Sequence, residues 1–183
     1  LNQNSSIYLD DVIYNYAILQ LLDNNLKEAL IYFNKIINDF KESDFIRSSI
    51  LHIGLICRDL YFHEDKRKEE YFNKAKDKFV HLVNHYPHTS EYSEALLGLK
   101  LLYTNSGRYT EYFEYLKSQN IDISVSTQDS IVFSSVESLY LQKNYNKSID
   151  GFNEYILDYP NGKFYLSALY YRAKSYLQIN QFD

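Results

Sequence analysis

The amino-acid sequence predicts an all-α fold, a right-handed superhelix of antiparallel helical hairpins, and three observations support this class. One pattern, a small residue followed by Phe, an aliphatic pair and a closing aromatic, occurs three times. Apolar residues recur at helical spacing through most of the 183 residues. The chain also contains only five Gly and two Pro, which suits long helices joined by short turns. Such hairpins cannot bury their apolar faces alone and must stack on one another.

The repeated pattern sets the period of the predicted array. Its copies are Ala29, Phe33, Ile36, Ile37 and Phe40; Ala75, Phe79, Leu82, Val83, Tyr86 and Pro87; and Ser148, Phe152, Ile156, Leu157, Tyr159 and Pro160, where the aliphatic pair lies one residue later. Phe33 and Phe79 are 46 residues apart, and Phe79 and Phe152 are 73 apart. The second spacing is close to two periods of about 36 residues, which is typical of helical repeats. We therefore expect a single array over residues 1–183.

Four hairpins and one further helix account for most of the chain. The predicted hairpins are, in order, residues 7–40, 45–86, 91–119 and 129–158, and an unpaired helix follows at 163–179. Asn24 and Gly107 mark turns within the first and third hairpins. Segment 120–128 breaks the period, and its alternating apolar residues are consistent with a short extended segment.

The hairpins resemble tetratricopeptide repeats. In that family the first helix carries a small residue where two helices touch, and the second helix carries a small residue and then an aromatic residue four positions later. The first position is matched by Ala17, Gly54, Gly98 and Ala173, with Val136 as a looser fit, and the second by Ala29/Phe33, Ala75/Phe79 and Ser148/Phe152. The resemblance implies a solenoid with a non-catalytic role, the binding of a protein or peptide.

A narrower resemblance covers residues 129–183. The run from Tyr145 to Gly162, with Ala168 and Tyr171 after it, is similar to envelope-associated repeat proteins of Bacteroidetes. These proteins are similar to the Tol-Pal cell division coordinator and to the repeat lipoprotein of outer-membrane protein assembly. The resemblance implies that the protein is located in a bacterial periplasm or cell envelope. The cytoplasm is the alternative location.

The same repeat alignment predicts a partner-binding groove. Positions of the first helices that face the inner groove are mostly apolar or aromatic here. The residues assigned to partner binding are Tyr14, Arg58, Tyr92, Tyr103, Phe133, Glu137, Tyr140, Tyr170 and Lys174. We therefore expect a scaffold that binds a protein segment in its concave groove.

Composition argues against several other classes. The net charge of −5 disfavours a general nucleic-acid binder, which needs a basic face. No apolar run approaches the roughly 18 residues of a membrane span, so we predict no transmembrane segment. The lone Cys57 has no partner for an internal disulfide and lies in an apolar run typical of a core.

Catalysis and metal binding are the alternative from another class. His81 and His85 have an i, i+4 spacing that can chelate a metal, with His88 close behind. The sequence contains no Gly-rich phosphate loop and no nucleophile elbow. We therefore predict that the protein is not an enzyme and uses no cofactor. A metal-binding or enzymatic role of His81, His85 and His88 is the alternative.

The last predicted helix suggests a further alternative, a self-assembling repeat module. The apolar stripe of residues 163–179 is wider than one neighbouring helix can cover. Residues 178–183 resemble the turn into another second helix, with Phe182 at the turn, and the chain begins at Leu1. We therefore expect a fragment of a longer protein, with self-association through helix 163–179.

Overall fold

In the computed structural model, residues 9–64 and 66–179 are described. They form nine α-helices: α1 (Leu9–Leu22), α2 (Leu26–Asp39), α3 (Ile46–His63), α4 (Lys68–His85), α5 (Ser90–Asn105), α6 (Tyr109–Ser118), α7 (Val125–Leu141), α8 (Tyr145–Asp158) and α9 (Tyr165–Ile179). The all-α class is confirmed, and each predicted hairpin corresponds to one pair of consecutive helices. The predicted start at residue 7 and the turn residue Phe182 lie outside the described residues.

The chain divides into two compact units. Unit 1 ends at Leu102 and unit 2 begins at Tyr103, so α5 contributes to both. In unit 1, α2 packs on α1 and α3, and α3 packs on α4. In unit 2, α8 packs on α7 and α9. That the two units form one continuous array stays a prediction.

The repeated sequence pattern is also a structural repeat. Its small residues and phenylalanines are fully buried at Ala29/Phe33, Ala75/Phe79 and Ser148/Phe152. The closing aromatics Phe40, Tyr86 and Tyr159 cap their helices in one conformation, with φ of −123°, −131° and −124°. In each case the backbone N–H donates to the carbonyl four residues earlier. The second helices therefore end in the same way in three hairpins.

The third copy of the pattern differs from the sequence-based expectation. Tyr155, three residues after Phe152, is buried in the position that Ile36 and Leu82 occupy in the other copies. Leu157, which we assigned to a shifted aliphatic pair, is exposed. The helix itself is not shifted, because a buried tyrosine takes the place of the aliphatic residue.

Three of the hairpin turns share one geometry. Asn24, Gly107 and Lys143 have positive φ values of 59°, 73° and 61°. The residue after each donates its N–H to a carbonyl five positions back: Asn25 to Gln20, Arg108 to Tyr103 and Asn144 to Leu139. This is the Schellman pattern, which satisfies the last carbonyls of the first helix and reverses the chain.

The extended segment predicted within 120–128 is limited to residues 121–124, which have no regular secondary structure and end at Ser124 with an extended backbone, φ −64° and ψ 154°. Helix α7 begins at Val125, and the residues described here contain no strand that could pair with this segment. The Ser124 hydroxyl accepts a hydrogen bond from the Thr127 N–H at 3.2 Å, an N-cap that starts the helix early. An alternating pattern without a partner strand cannot form a β-ladder, so the cap decides the conformation.

The ring of Phe79 connects three helices of unit 1. A Cβ atom added at Gly54 of α3 would lie 2.7 Å from this ring, and one added at Gly98 of α5 would lie 2.6 Å from it. Both glycines therefore leave the space that the ring of α4 fills. The side chain nearest to Gly98 therefore belongs to the second helix of the preceding hairpin.

We predict that Gly98→Leu lowers the free energy of unfolding by about 1–3 kcal/mol, because the new side chain must displace the fully buried Phe79 ring. Glu94→Leu places the same side chain at an exposed position of α5 and is the matched control. Urea unfolding of both variants measures the difference. Equal stability of the two variants would show that Phe79 does not need the space at Gly98.

In unit 2, a buried carboxylate attaches the start of α9 to α7. Asp129 of α7 accepts hydrogen bonds from the Tyr155 hydroxyl and from the backbone N–H of Lys163 at 2.8 Å. The Tyr155 hydroxyl in turn accepts from the N–H of Phe164 at 3.2 Å. Burial and the bond to Asp129 raise the pKa of Tyr155, so the hydroxyl stays protonated and remains a donor.

The small residue that packs α9 is Ala168 and not Ala173. Ala168 is fully buried in one cluster with Phe152 and Val136, whereas Ala173 is exposed. Five residues along a helix correspond to a rotation of about 140° from the starting face. The expected match at Ala173 was therefore on the wrong side of the helix.

We predict that Tyr155→Phe lowers the free energy of unfolding by about 1–3 kcal/mol, since a buried carboxylate loses a donor. Tyr159→Phe is the control, because it removes the hydroxyl of the ring that stacks on Tyr155 at 5.1 Å and leaves the bond to Asp129 in place. Thermal unfolding monitored by circular dichroism gives both values. A loss as large in the control as in Tyr155→Phe would argue against the role of this bond.

Candidate functional site

A group of tyrosines and two charged residues lies where α7 and α9 pack together, and we call it the α7–α9 surface. It consists of Glu137, Tyr140, Tyr170, Tyr171 and Lys174. Glu137 and Tyr140 are three residues apart on α7, and Tyr170 and Lys174 are four apart on α9, so each pair shares one helix face. Four of the five residues were predicted as groove residues from the sequence.

Tyr171 is the central residue of the α7–α9 surface. Its ring centroid lies 5.0 Å from that of Tyr140 and 5.4 Å from that of Tyr170. Such distances are favourable for tilted and edge-on aromatic pairs. The ammonium group of Lys174 lies 4.7 Å from the centroid of the Tyr170 ring, within the range of a cation–π contact. The three rings and the cation therefore form one connected surface.

The two charged side chains of this surface, Glu137 and Lys174, interact with its own tyrosines. A hydrogen bond to the Glu137 carboxylate, together with burial, raises the pKa of Tyr171. The interaction with Tyr170 raises the pKa of Lys174, which keeps the amine charged. One anion and one cation thus border the exposed ring of Tyr170 and the half-buried ring of Tyr140. The arrangement offers apolar contact area and two fixed charges.

Two of the predicted groove residues are core residues. Phe133 is 5% exposed and stacks on Phe164 at 4.5 Å. Tyr103 is 4% exposed, and its ring lies 5.7 Å from that of Tyr112. Neither side chain has surface to offer a partner, because side chains from neighbouring helices cover both. Their expected role as binding anchors is therefore wrong, and both belong to the packing of the fold.

The three predicted groove residues of unit 1 have separate surroundings. They are Tyr14 on α1, Arg58 on α3 and Tyr92 on α5, and all three are half-buried. Tyr14 stacks on Phe45 at 4.4 Å, and its hydroxyl lies 3.3 Å from His52 Nε2. The Arg58 guanidinium donates to the carboxylate of its neighbour Asp59 at 2.9 Å. That these residues and the α7–α9 surface line one groove stays a prediction.

The residue that sequence reasoning missed is Tyr171. It appeared only in the run that resembles envelope proteins, three positions after Ala168. Because Ala168 is the buried small residue of α9, a tyrosine one turn later lies at the edge of the packed face. A correct choice of the small residue would have placed Tyr171 beside α7.

The histidines of α4 form a stacked pair. The rings of His81 and His85 are 4.3 Å apart, and His85 Nδ1 lies within hydrogen-bond distance of the His81 carbonyl at 2.9 Å. Within residues 9–64 and 66–179, no group of three or more His, Cys, Asp or Glu side chains is placed to hold a metal ion. Burial raises the pKa of Cys57 to about 11, so its thiol is protonated at neutral pH.

An α-helix needs about 20 consecutive apolar residues to cross a bilayer. None of the helices in the described part of the chain is long and apolar enough to do so.

The first hairpin is similar to a known family. Residues 11–43, which cover most of α1 and all of α2, match the family model described as Tetratricopeptide repeat. The match supports the tetratricopeptide repeat family. Tetratricopeptide repeats are generally protein–protein interaction modules and are generally non-enzymatic. No curated protein matches the chain, so the resemblance to envelope proteins rests on the residues quoted for it.

We predict that stability falls as the pH drops below about 6.5, the ordinary pKa of histidine. Burial lowers the pKa of His52, so the unfolded chain takes up a proton at a higher pH than the folded one. His52→Phe keeps a ring against Phe33, 4.9 Å away, and removes the titration. Urea unfolding between about pH 7 and pH 5 should give a flatter profile for this variant.

The control is His63→Asn, which replaces an exposed histidine of the same helix and leaves His52 in place. An unchanged slope in His52→Phe would assign the pH dependence to other groups.

Proposed function

We propose that the protein is a non-catalytic scaffold that binds a segment of another protein, and that the α7–α9 surface is the contact. The observation that carries this proposal is the cluster around Tyr171, where four predicted groove residues meet. The match of residues 11–43 to a repeat that generally mediates protein–protein interactions supports the same function.

The chemistry of the α7–α9 surface suits a protein segment of mixed character. Tyrosine provides large contact area with few rotatable bonds, and it is enriched at protein interfaces. The exposed ring of Tyr170 offers a place for an apolar or aromatic side chain. Glu137 and Lys174 would favour a partner segment that carries a basic residue on one side of this anchor and an acidic residue on the other. We therefore propose a segment with one apolar anchor between a basic and an acidic residue.

The proposal extends to the groove and to the cellular setting. Tyr14, Arg58 and Tyr92 are the unit 1 residues that a concave groove would add to the contact. The bacterial cell envelope, most simply the periplasm, is the setting we propose from the resemblance of residues 129–183. Fractionation of the source cells tests this setting, and recovery of the protein only in the cytosolic fraction would contradict it.

We predict that Tyr170→Ala weakens the affinity for the partner by about 1–3 kcal/mol, because it removes the exposed ring and the support of Lys174. Tyr176→Ala is the matched control, since Tyr176 is an exposed tyrosine on another face of the same helix. The partner is captured from the source cells with the wild-type chain, and its affinity for each variant is measured by calorimetry. Equal affinities of Tyr170→Ala and wild type would exclude this surface as the contact.

A further inference from the structure

A groove of about 850 Å³ lies between α2 and α4, the second helices of the first two hairpins. Both helices belong to unit 1. Residues of α2 and α4 line the groove, together with residues 64, 66 and 67 from the connection between α3 and α4. We call it the α2–α4 groove. It shares no residue with the α7–α9 surface, so it is a separate candidate for binding.

The α2–α4 groove is basic, although the chain as a whole is acidic. Its cations are Lys27, Lys35, Lys66, Arg67 and Lys74. Its carboxylates are Asp39, Glu64 and Glu70. Five cations against three carboxylates leave an excess of two positive charges, whereas the chain carries a net charge of −5. A negatively charged ligand is therefore favoured at this groove.

The ion pairs within the groove use only part of its cations. Lys27 and Lys74 each lie 2.6 Å from a glutamate carboxylate, and Arg67 lies 4.0 Å from one. Lys35 and Lys66 are exposed, and neither has a hydrogen bond or an ion pair with any residue of the ranges 9–64 and 66–179. These two lysines are therefore the charges with which an acidic ligand can pair.

The groove also offers apolar surface beside the free lysines. Ile31 is 60% exposed and lies one helical turn before Lys35 on α2, so both belong to the same wall. A second cavity of about 330 Å³ shares four lining residues with the groove, among them Tyr71. Its lining also includes the buried Ile53 and Cys57 of α3. One aliphatic side chain of a ligand can therefore be buried next to the two cations.

We propose that the α2–α4 groove is a second binding site, which takes an acidic peptide segment with one aliphatic side chain. Carboxylates of the segment pair with Lys35 and Lys66, and its aliphatic side chain enters the cavity beside Tyr71. A nucleic acid is the less suitable ligand, because binding to a phosphate backbone needs a larger excess of cations than the two found here.

A synthetic peptide is the probe for this site. It consists of glutamate and aspartate with one central leucine and carries a fluorescent label, and its binding to the complete chain is measured by fluorescence anisotropy. We expect saturable binding. Replacement of the leucine of the peptide by glycine should weaken the affinity by about tenfold or more, because the buried aliphatic contact is lost.

Two double variants test the role of the free lysines. Lys35→Glu/Lys66→Glu should weaken the affinity for the peptide by about tenfold or more, because it reverses the two unpaired charges. Lys117→Glu/Lys147→Glu makes the same change in net charge at two exposed lysines of unit 2 and is the matched control. All four positions are exposed, and circular dichroism checks that the fold is retained. Tyr170→Ala should bind the peptide as the wild type does, because it alters only the α7–α9 surface.

Four outcomes would overturn the proposal. The first is the absence of saturable binding, and the second is an equal loss of affinity in the two double variants. The third is equal binding of the leucine and glycine peptides, or tighter binding of a single-stranded DNA of the same charge, since the groove would then recognise charge alone. The fourth is a loss of affinity in Tyr170→Ala, which would place the peptide on the α7–α9 surface.

Discussion

The first unit depends on the ring of Phe79, which fills the space left by two glycines. Gly54 precedes it on α3 and Gly98 follows it on α5, so a single side chain of α4 sets the distance to both neighbours. A side chain at either glycine would increase the separation of the helices, and a smaller residue in place of Phe79 would leave a cavity. The packing of these consecutive hairpins thus depends on one large side chain that lies between two glycines.

In unit 2 a large and a small residue also meet between two helices, but here the large residue is on the first helix and the small residue is on the second. Helix α7 carries Val136 where the other first helices carry a small residue. A Cβ atom added at Gly151 of α8 would lie 2.8 Å from the Val136 side chain. The small residue has moved to the second helix, and the volume at the contact is conserved. Interiors pack at nearly constant density, so either helix can supply the missing atoms.

Helix positions followed from the sequence, whereas depth of burial did not. Apolar spacing and turn residues mark where most helices begin and end, because both are local properties, although α7 begins four residues before the predicted start because Ser124 caps it. Whether a ring is exposed depends on residues distant in sequence: Phe133 is covered by Phe164, which belongs to the turn before α9. The same reason explains why alignment gave Tyr170 and Lys174 as site residues but missed Tyr171. The helical period indicates which face of its helix a residue lies on. It does not indicate which residues from distant parts of the sequence pack against that face.

The carboxylate of Asp129 also limits how copies of this chain can exchange parts. Helix α9 is attached to α7 through Lys163, Phe164 and Tyr155, across the intervening helix α8. If α9 left its own unit to pack on another molecule, it would leave Asp129 buried and short of donors, which is costly. Domain swapping of the last helix is therefore disfavoured, and any assembly of this chain has to join complete, closed units.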